Sequence, residues 1–345
     1  MTWIKPQYSA SSIDKAGQIL IDPTVSSSVK SDALDILNNW RSSHSYPLNT
    51  FQMRLRRKAP GIDKDVLVAQ RLKRIPSIIT KLKRNPKMAL SRMQDIGGCR
   101  AIVNTVDQVR LLYNDYEKAR FEHKLVTAKD YIIEPKYSGY RGIHLVYLYR
   151  GKKYSDSKTF ETYNKCRVEI QIRTRLQHAW ATAVETVGLF LRESLKSSEG
   201  PDDWLTFFAY TSSVFAHIEG TQPLHKVLTE RELLKIVSNM ALELDVCNKL
   251  SDYHNTLKVF EEGQVEKAHY YLLTLQPGSL QITGFKESEL AQASEQYLKN
   301  EKELIGAEVV LVSAESIEAL RSAYPNYFLD TELFLDRIKI IISQS

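Results

Sequence analysis

Apolar positions along this chain switch between the helical repeat and the period of two, and the switches outline its elements. Residues 1–45 carry helical spacing interrupted by serines at 26–28 and 42–43, which predicts a peripheral helical lead-in. From 46 to 200 the pattern predicts helices near 66–84, 106–122 and 175–191, and strands near 100–104, 143–150 and 166–173. Helices and strands mixed in this order predict a mixed β-sheet flanked by helices. After Ser197-Ser198-Glu199-Gly200-Pro201 the pattern changes: Leu233, Leu234, Ile236, Val237, Met240, Leu244, Cys247 and Leu250 recur at helical spacing, a packing stripe over a helical connector at 201–265. A hairpin follows, 269–275 and 280–283 around Pro277-Gly278-Ser279, then a helix over 287–304, a strand over 308–312, a short helix over 316–323 and an amphipathic segment over 331–342. The fold class expected is α+β: a mixed-sheet domain at 46–200 and a smaller α+β C-terminal domain at 266–345.

Composition narrows the class. With 345 residues and 43% hydrophobic content the chain has core material for one large or two medium domains. No apolar run reaches the ~18 residues of a membrane span and the start lacks an apolar signal segment, so a cytoplasmic location and no membrane partner are expected. Cys99, Cys166 and Cys247 are widely spaced, which supports neither a disulfide framework nor a zinc site. The net charge of +6 conceals a polarity: residues 1–100 carry +11, 101–200 carry +5 and 201–345 carry −10. Residues 54–87 hold 12 basic and 2 acidic side chains, beginning Arg54-Leu55-Arg56-Arg57-Lys58. Such a run can be a solvated face; here it exceeds what one triphosphate needs, and Arg54, Arg56, Arg57 and Lys58 are expected to meet a polyanion, most simply RNA.

Three short segments carry candidate chemistry. Residues 130–144 contain Pro135-Lys136 and Gly139-Tyr140-Arg141-Gly142-Ile143-His144, read as a loop entering a strand. It can hold the Tyr140 ring, an aromatic platform, beside Lys136, Arg141 and His144. In Glu169-Ile170-Gln171-Ile172-Arg173-Thr174 the strand period sends Glu169, Gln171 and Arg173 to one face, a set suited to a metal-nucleotide site or simply to the solvated side of a sheet. Upstream lie Arg71, Lys73, Ser77 and Lys81, with Ser77 and Lys81 on one helical face, and then Asp95-Ile96-Gly97-Gly98-Cys99-Arg100. Cations for a triphosphate, two carboxylates for Mg²⁺ and a stacking loop coexist within about a hundred residues, a sufficient toolkit for phosphoryl transfer. Glu169 could also take the proton of an attacking hydroxyl.

At these motifs, over roughly residues 50 to 190, the chain resembles the RelA/SpoT synthetase domain, a nucleotidyltransferase-like mixed sheet. The resemblance implies that the β,γ-pyrophosphoryl group of ATP, a substrate, is moved to a ribose 3′-hydroxyl. It implies Arg71 and Arg100 around the adenine; Lys73, Ser77, Lys81, Gln171 and Arg173 in the ATP site; Asp95 and Glu169 holding Mg²⁺ as catalytic carboxylates; and Tyr140 stacking the acceptor base beside Lys136, Arg141 and His144. Gly142 stands where Ser is usual after Gly-Tyr-Arg, and Gly97-Gly98-Cys99 replaces the commoner Ala-Gly-Ile.

The acidic tail with Tyr324-Pro325-Asn326-Tyr327 resembles the CapRel group of fused toxic synthetases. That likeness implies a toxin that pyrophosphorylates the tRNA 3′ end, inhibiting translation, and a C-terminal domain that covers the ATP site until a phage capsid or other trigger protein binds it. Tyr324 and Tyr327 are then expected to be autoinhibitory, occupying the adenine slot between arginines; the alternative is a helix-linking turn with half-buried rings. Two other activities remain: a (p)ppGpp or (p)ppApp synthetase acting on nucleotides, and a non-catalytic nucleotide- or RNA-binding module.

Overall fold

The computed structural model describes residues 3–118, 122–151, 161–191, 201–255, 257–263, 265, 268–276, 278–304, 307–314, 316–325, 327–328 and 330–344. The predicted break at 197–200 and the turn residues Pro277 and Asn326 lie outside them. In chain order come α1 (Ala10–Ile21), α2 (Ser27–Ser43), α3 (Ser45–Lys58), β1 (Leu67–Leu72), α4 (Ile75–Arg84), β2 (Gly97–Val103), α5 (Val106–Glu117), β3 (Lys124–Asp130), β4 (Ile143–Leu148), β5 (Arg167–Thr174) and α6 (Arg175–Leu191). Then follow α7 (Asp202–Ile218), α8 (Glu230–Glu243), α9 (Val246–Asn255), β6 (Lys258–Gly263), β7 (Tyr270–Gln276), β8 (Ser279–Phe285), α10 (Leu290–Glu303), β9 (Glu308–Ser313), α11 (Ile317–Ala323) and α12 (Glu332–Gln344).

The protein is α+β, with one mixed sheet of nine strands among the described residues, ordered β3-β4-β5-β2-β1-β9-β7-β8-β6. Strands β2 and β5 run parallel and β1, β4 and β3 antiparallel to their neighbours. The C-terminal strands extend the same sheet: β9 pairs antiparallel with β1, Gln70 opposite Ser313 and Arg71 opposite Val312. Helices α1 to α5 cover one core with the N-terminal strands, around Leu37, Phe51, Leu82, Ala101 and Leu112. A second core joins α6, α7, α8 and α9 to α12 and takes in Tyr140 from the loop between β3 and β4. Strand β7 is buried on both faces: Tyr271, Leu273 and Leu275 face α11 and the tyrosine turn, whereas Tyr270 and Leu272 face α10.

Residues 66–84 are not the single helix expected from their spacing. Leu67–Leu72 is a strand, and a helix starts only at Ile75, after extended Arg74, with Pro76 in its first turn. An apolar run buried between two neighbouring strands has no alternation to separate it from a buried helix.

A chain cut near residue 265 is expected to be insoluble or unfolded. The cut strips Phe334, Leu335, Ile338 and Ile341 from the helical core and bares the β1 edge that β9 covers. Circular dichroism of the truncated chain checks this; native-like melting would show that the tail is dispensable for folding.

Candidate active site

Strand register assembles the site. Ala69 lies opposite Arg100 and Arg71 opposite Gly98 across β1 and β2, so Arg71 and Arg100 are diagonal neighbours on one face. Across β2 and β5, Arg100 aligns with Gln171, and alternate positions bring Glu169 and Arg173 to the same face. Across β5 and β4, His144 stands opposite Gln171. Burial first, then neighbouring Arg100, depress the Arg173 guanidinium to about 10. Crowded arginines of this kind form a site for an anion.

Asp95 lies two residues before β2. Its carboxylate receives Lys73 Nζ at 3.1 Å and Lys81 Nζ at 2.9 Å, the latter from α4, with Ser77 half-buried one turn earlier. Burial works to raise the Asp95 carboxyl, but Lys73 and Lys81 outweigh it and hold it below its ordinary value. The bend at Lys73 is fixed by its N–H donating to Ile96 O (2.7 Å) and by Arg41 Nε donating to Lys73 O (2.7 Å). Glu169 accepts from Gln171 Nε2 at 2.7 Å and pairs with His144 Nδ1 at 2.9 Å. Burial pushes Glu169 up and Asp95 adds to this, yet His144 and Gln171 keep it below the usual carboxylate value.

The segment between β3 and β4 presents the aromatic platform. Gly139 has φ +88°, and a Cβ there would come within 2.8 Å of Ser212 Cβ and 3.0 Å of Trp180, so the turn requires glycine. Ser212 Oγ donates to Gly139 O at 2.5 Å and locks the turn against α7. Tyr140 is buried, edge-on to Tyr131 and Trp180, with its hydroxyl 2.6 Å from His144 Nε2. Burial moves its phenol up to about 12. Lys136 Nζ lies over the Tyr131 and Tyr140 rings at 4.6 and 5.0 Å.

The tail reaches this face. Tyr324 and Tyr327 are each 1% exposed, fully buried rather than the half-buried rings of a simple linking turn. Arg100 Cζ sits 4.8 Å above the Tyr324 ring and Arg71 Nη1 donates to Tyr327 Oη at 3.3 Å. Arg100 Nη1 also donates to Ala323 O at 2.9 Å, and His178 Nε2 is 3.2 Å from Ser322 O. Elsewhere the tail grips the start of α4: Glu301 accepts from Ile75 N at 3.0 Å, Arg74 pairs with Glu308 at 2.8 Å, and Arg41 stacks on Tyr297 at 4.1 Å.

Most expected site residues therefore converge, but two groups differ. Arg141 turns away from Tyr140: its Nη2 donates to Ile132 O, Thr221 Oγ1 and Gln222 O, which makes it a loop clamp rather than an acceptor ligand in this structure. In the basic run, Arg54 pairs with Asp115 at 3.2 Å and stacks on Tyr116, Lys58 pairs with Asp115 at 3.3 Å, and Arg56 is half-buried; Arg57 is exposed. Arg54 is thus an internal anchor, not an open phosphate hook. Arg74, Tyr131, Trp180, Glu185 and Glu301 were not singled out as site residues by their spacing. Of these, Glu185 is a charge acting on Arg71, Arg74, Arg173 and Tyr140 at once. Its signal in the sequence was only an acidic residue on the inner side of an otherwise apolar helix.

Residues 70–187 match the family described as the region found in RelA / SpoT proteins. The GTP pyrophosphokinase YjbM of Bacillus subtilis (strain 168) is 38% identical over 117 residues, 33% of this chain and 52% of that protein, so the chain spans about half the length of this curated relative. The structure of small alarmone synthetase 1 from Bacillus subtilis bound to its product pppGpp aligns with TM-score 0.43 and 26% identity, over 53% of this chain and 94% of that one. A GTP pyrophosphokinase family protein from Streptococcus pneumoniae aligns with TM-score 0.41 and 24% identity, over 57% and 92%. The stretch from 70 to 187, which matches the RelA / SpoT family description, holds the arginine face, both carboxylates and the tyrosine platform.

Proposed function

We propose that this chain is an ATP-dependent pyrophosphokinase whose own tail closes the nucleotide site. The observation that carries the reading is the single sheet face that bears Arg71, Arg100, Arg173 and Glu169, with Asp95 beside it, within the stretch that matches the RelA / SpoT description. Arg71 and Arg100 hold the adenine, and Lys73, Ser77, Lys81, Gln171 and Arg173 surround the phosphates. The acceptor 3′-oxygen bonds to the β-phosphorus, the bond from that phosphorus to the α-β bridging oxygen breaks, AMP leaves, and Glu169 takes the hydroxyl proton.

Asp95 and Glu169 are hard oxygen donors close enough for Asp95 to raise Glu169, and they are the residues that would hold Mg²⁺. Two carboxylates completed by substrate phosphates are an ordinary Mg²⁺ arrangement, and the ion supplies charge neutralisation at the phosphates.

For the acceptor we take the 3′ end of tRNA, supported by the basic N-terminal third and by the resemblance to fused toxic synthetases; Arg57 and Lys58 are the exposed cations nearest this role. In this reading the modified tRNA stops translation, and a phage capsid protein or similar trigger frees the site by binding the tail. Two rings seated on Arg71 and Arg100 support closure of the adenine slot. A second reading, GDP or GTP as acceptor, is favoured by the activity in the name of the Bacillus subtilis relative.

Incubation of the chain carrying Tyr324→Ala and Tyr327→Ala with γ-³²P-ATP and either tRNA or GDP separates the two readings. The RNA reading expects label on tRNA, weakened by charge reversal at Arg57 and Lys58, with a salt slope lower by about one unit for each phosphate no longer neutralised. Label on GDP, untouched by those reversals, establishes the alarmone reading. Label on neither, with the tail tyrosines replaced, leaves a binding module.

A further inference from the structure

An unbroken line of hydrogen bonds joins the aromatic platform to the carboxylate. Tyr140 Oη lies 2.6 Å from His144 Nε2, His144 Nδ1 lies 2.9 Å from Glu169 Oε1, and Gln171 Nε2 donates to Glu169 Oε2 at 2.7 Å. The carboxylate can only accept, so His144 Nδ1 carries the proton directed at it, and in the neutral ring Nε2 accepts from the phenol. Register makes this arrangement a property of the sheet: His144 is directly opposite Gln171 and diagonal to Glu169, so the two groups grip the carboxylate from the neighbouring strand and from its own. Tyr131 packs edge-on against the imidazole at 5.2 Å, and Tyr140 does so at 5.4 Å.

We propose that His144 is a positioning residue that couples seating of the acceptor on Tyr140 to the orientation of the Glu169 carboxylate. This rests on the reading of Tyr140 as acceptor platform and Glu169 as base. Both His144 ring nitrogens meet side chains of the site, whereas His44 Nδ1 and His178 Nε2 meet backbone carbonyls. Turning the imidazole breaks both bonds together, so a phenol displaced by a badly seated acceptor also releases Glu169 Oε1. Each carboxylate oxygen keeps a free lone pair for the hydroxyl or the metal. Outer partners of this kind typically change activity about 10–100-fold when removed.

The test compares Tyr140→Phe, His144→Ala and their combination in the full-length chain carrying Tyr324→Ala and Tyr327→Ala. Tyr140→Phe keeps the stacking ring and loses only the hydroxyl. Each single change is expected to lower kcat about 10–100-fold while acceptor KM stays within about threefold for Tyr140→Phe, and the double variant to fall no further than the worse single one. A second readout needs no turnover: in ¹⁵N-histidine spectra, the His144 signal, assigned by its loss in His144→Ala, should move in Tyr140→Phe. Multiplying effects, an unchanged kcat in Tyr140→Phe, or an unmoved His144 signal would overturn the coupling. If the released chain labels no acceptor, the pyrophosphokinase reading falls, and the spectrum still decides whether platform and carboxylate are linked.

Discussion

Replacing Asp95 or Glu169 by alanine is expected to lower pyrophosphate transfer by about 10³-fold or more with the fold intact. Both carboxylates lie on or beside central strands but point to the site face, so their loss leaves no cavity in the apolar core. Asp95→Ala removes the partner of Lys73 and Lys81 and a hard oxygen donor at once. Two unneutralised ammonium groups then face the phosphates without the carboxylate that positions them. In the proposed mechanism Glu169→Ala removes the proton acceptor, a contribution of about 10²–10⁴-fold by itself, as well as an oxygen that would hold Mg²⁺. Asp95→Asn and Glu169→Gln preserve volume and should fail almost as badly, because they lose the charge and, at the amide nitrogen, one of the two accepted hydrogen bonds. With each alanine change made in the chain that also carries Tyr324→Ala and Tyr327→Ala, steady-state transfer within tenfold of that tyrosine-pair chain would remove these residues from the mechanism.

The converse effect is expected at the tail: Tyr324→Ala with Tyr327→Ala should activate the chain. One cation–π contact to Arg100 and one hydrogen bond from Arg71 contribute together about 2–4 kcal/mol, which corresponds to roughly 30- to 1,000-fold in the open population. The rest of the tail need not detach. Ala323 O still holds Arg100, β9 still pairs with β1, and Glu301 still caps α4, so the slot opens while the sheet remains whole. That distinction makes the alanine pair a better probe than truncation. In cells the pair should arrest growth, and adding Asp95→Ala should abolish the arrest. Normal growth with the soluble, folded pair variant would leave the tail a structural extension of the sheet.

The mixed sheet and its helices were legible because polar motif residues interrupt apolar periodicities at fixed offsets. The alternation at 166–173 predicts β5 to within a residue and puts Glu169, Gln171 and Arg173 on the shared face. Local pattern could not reveal that β9 would pair with β1, since the partners Gln70 and Ser313 are far apart in sequence. Nor did it reveal β3, an edge strand with most side chains in solvent. Arg141 was misplaced because adjacent residues in a tight loop can point to opposite sides: Tyr140 goes to the site and Arg141 to the carbonyls of residues 132 and 222. Helical spacing puts Arg54 and Lys58 on one side of α3, where both reach Asp115 on α5; charge counting does not register such a partner.

The most direct test of a pyrophosphokinase closed by its own tail is transfer of ³²P from γ-labelled ATP to tRNA or GDP by three full-length chains: the parent, Tyr324→Ala/Tyr327→Ala, and that pair with Asp95→Ala. The account predicts label on one acceptor with the tyrosine pair alone, and little or none with the parent or the triple variant. Equal labelling by the parent and the tyrosine pair, or labelling that survives Asp95→Ala, would contradict it.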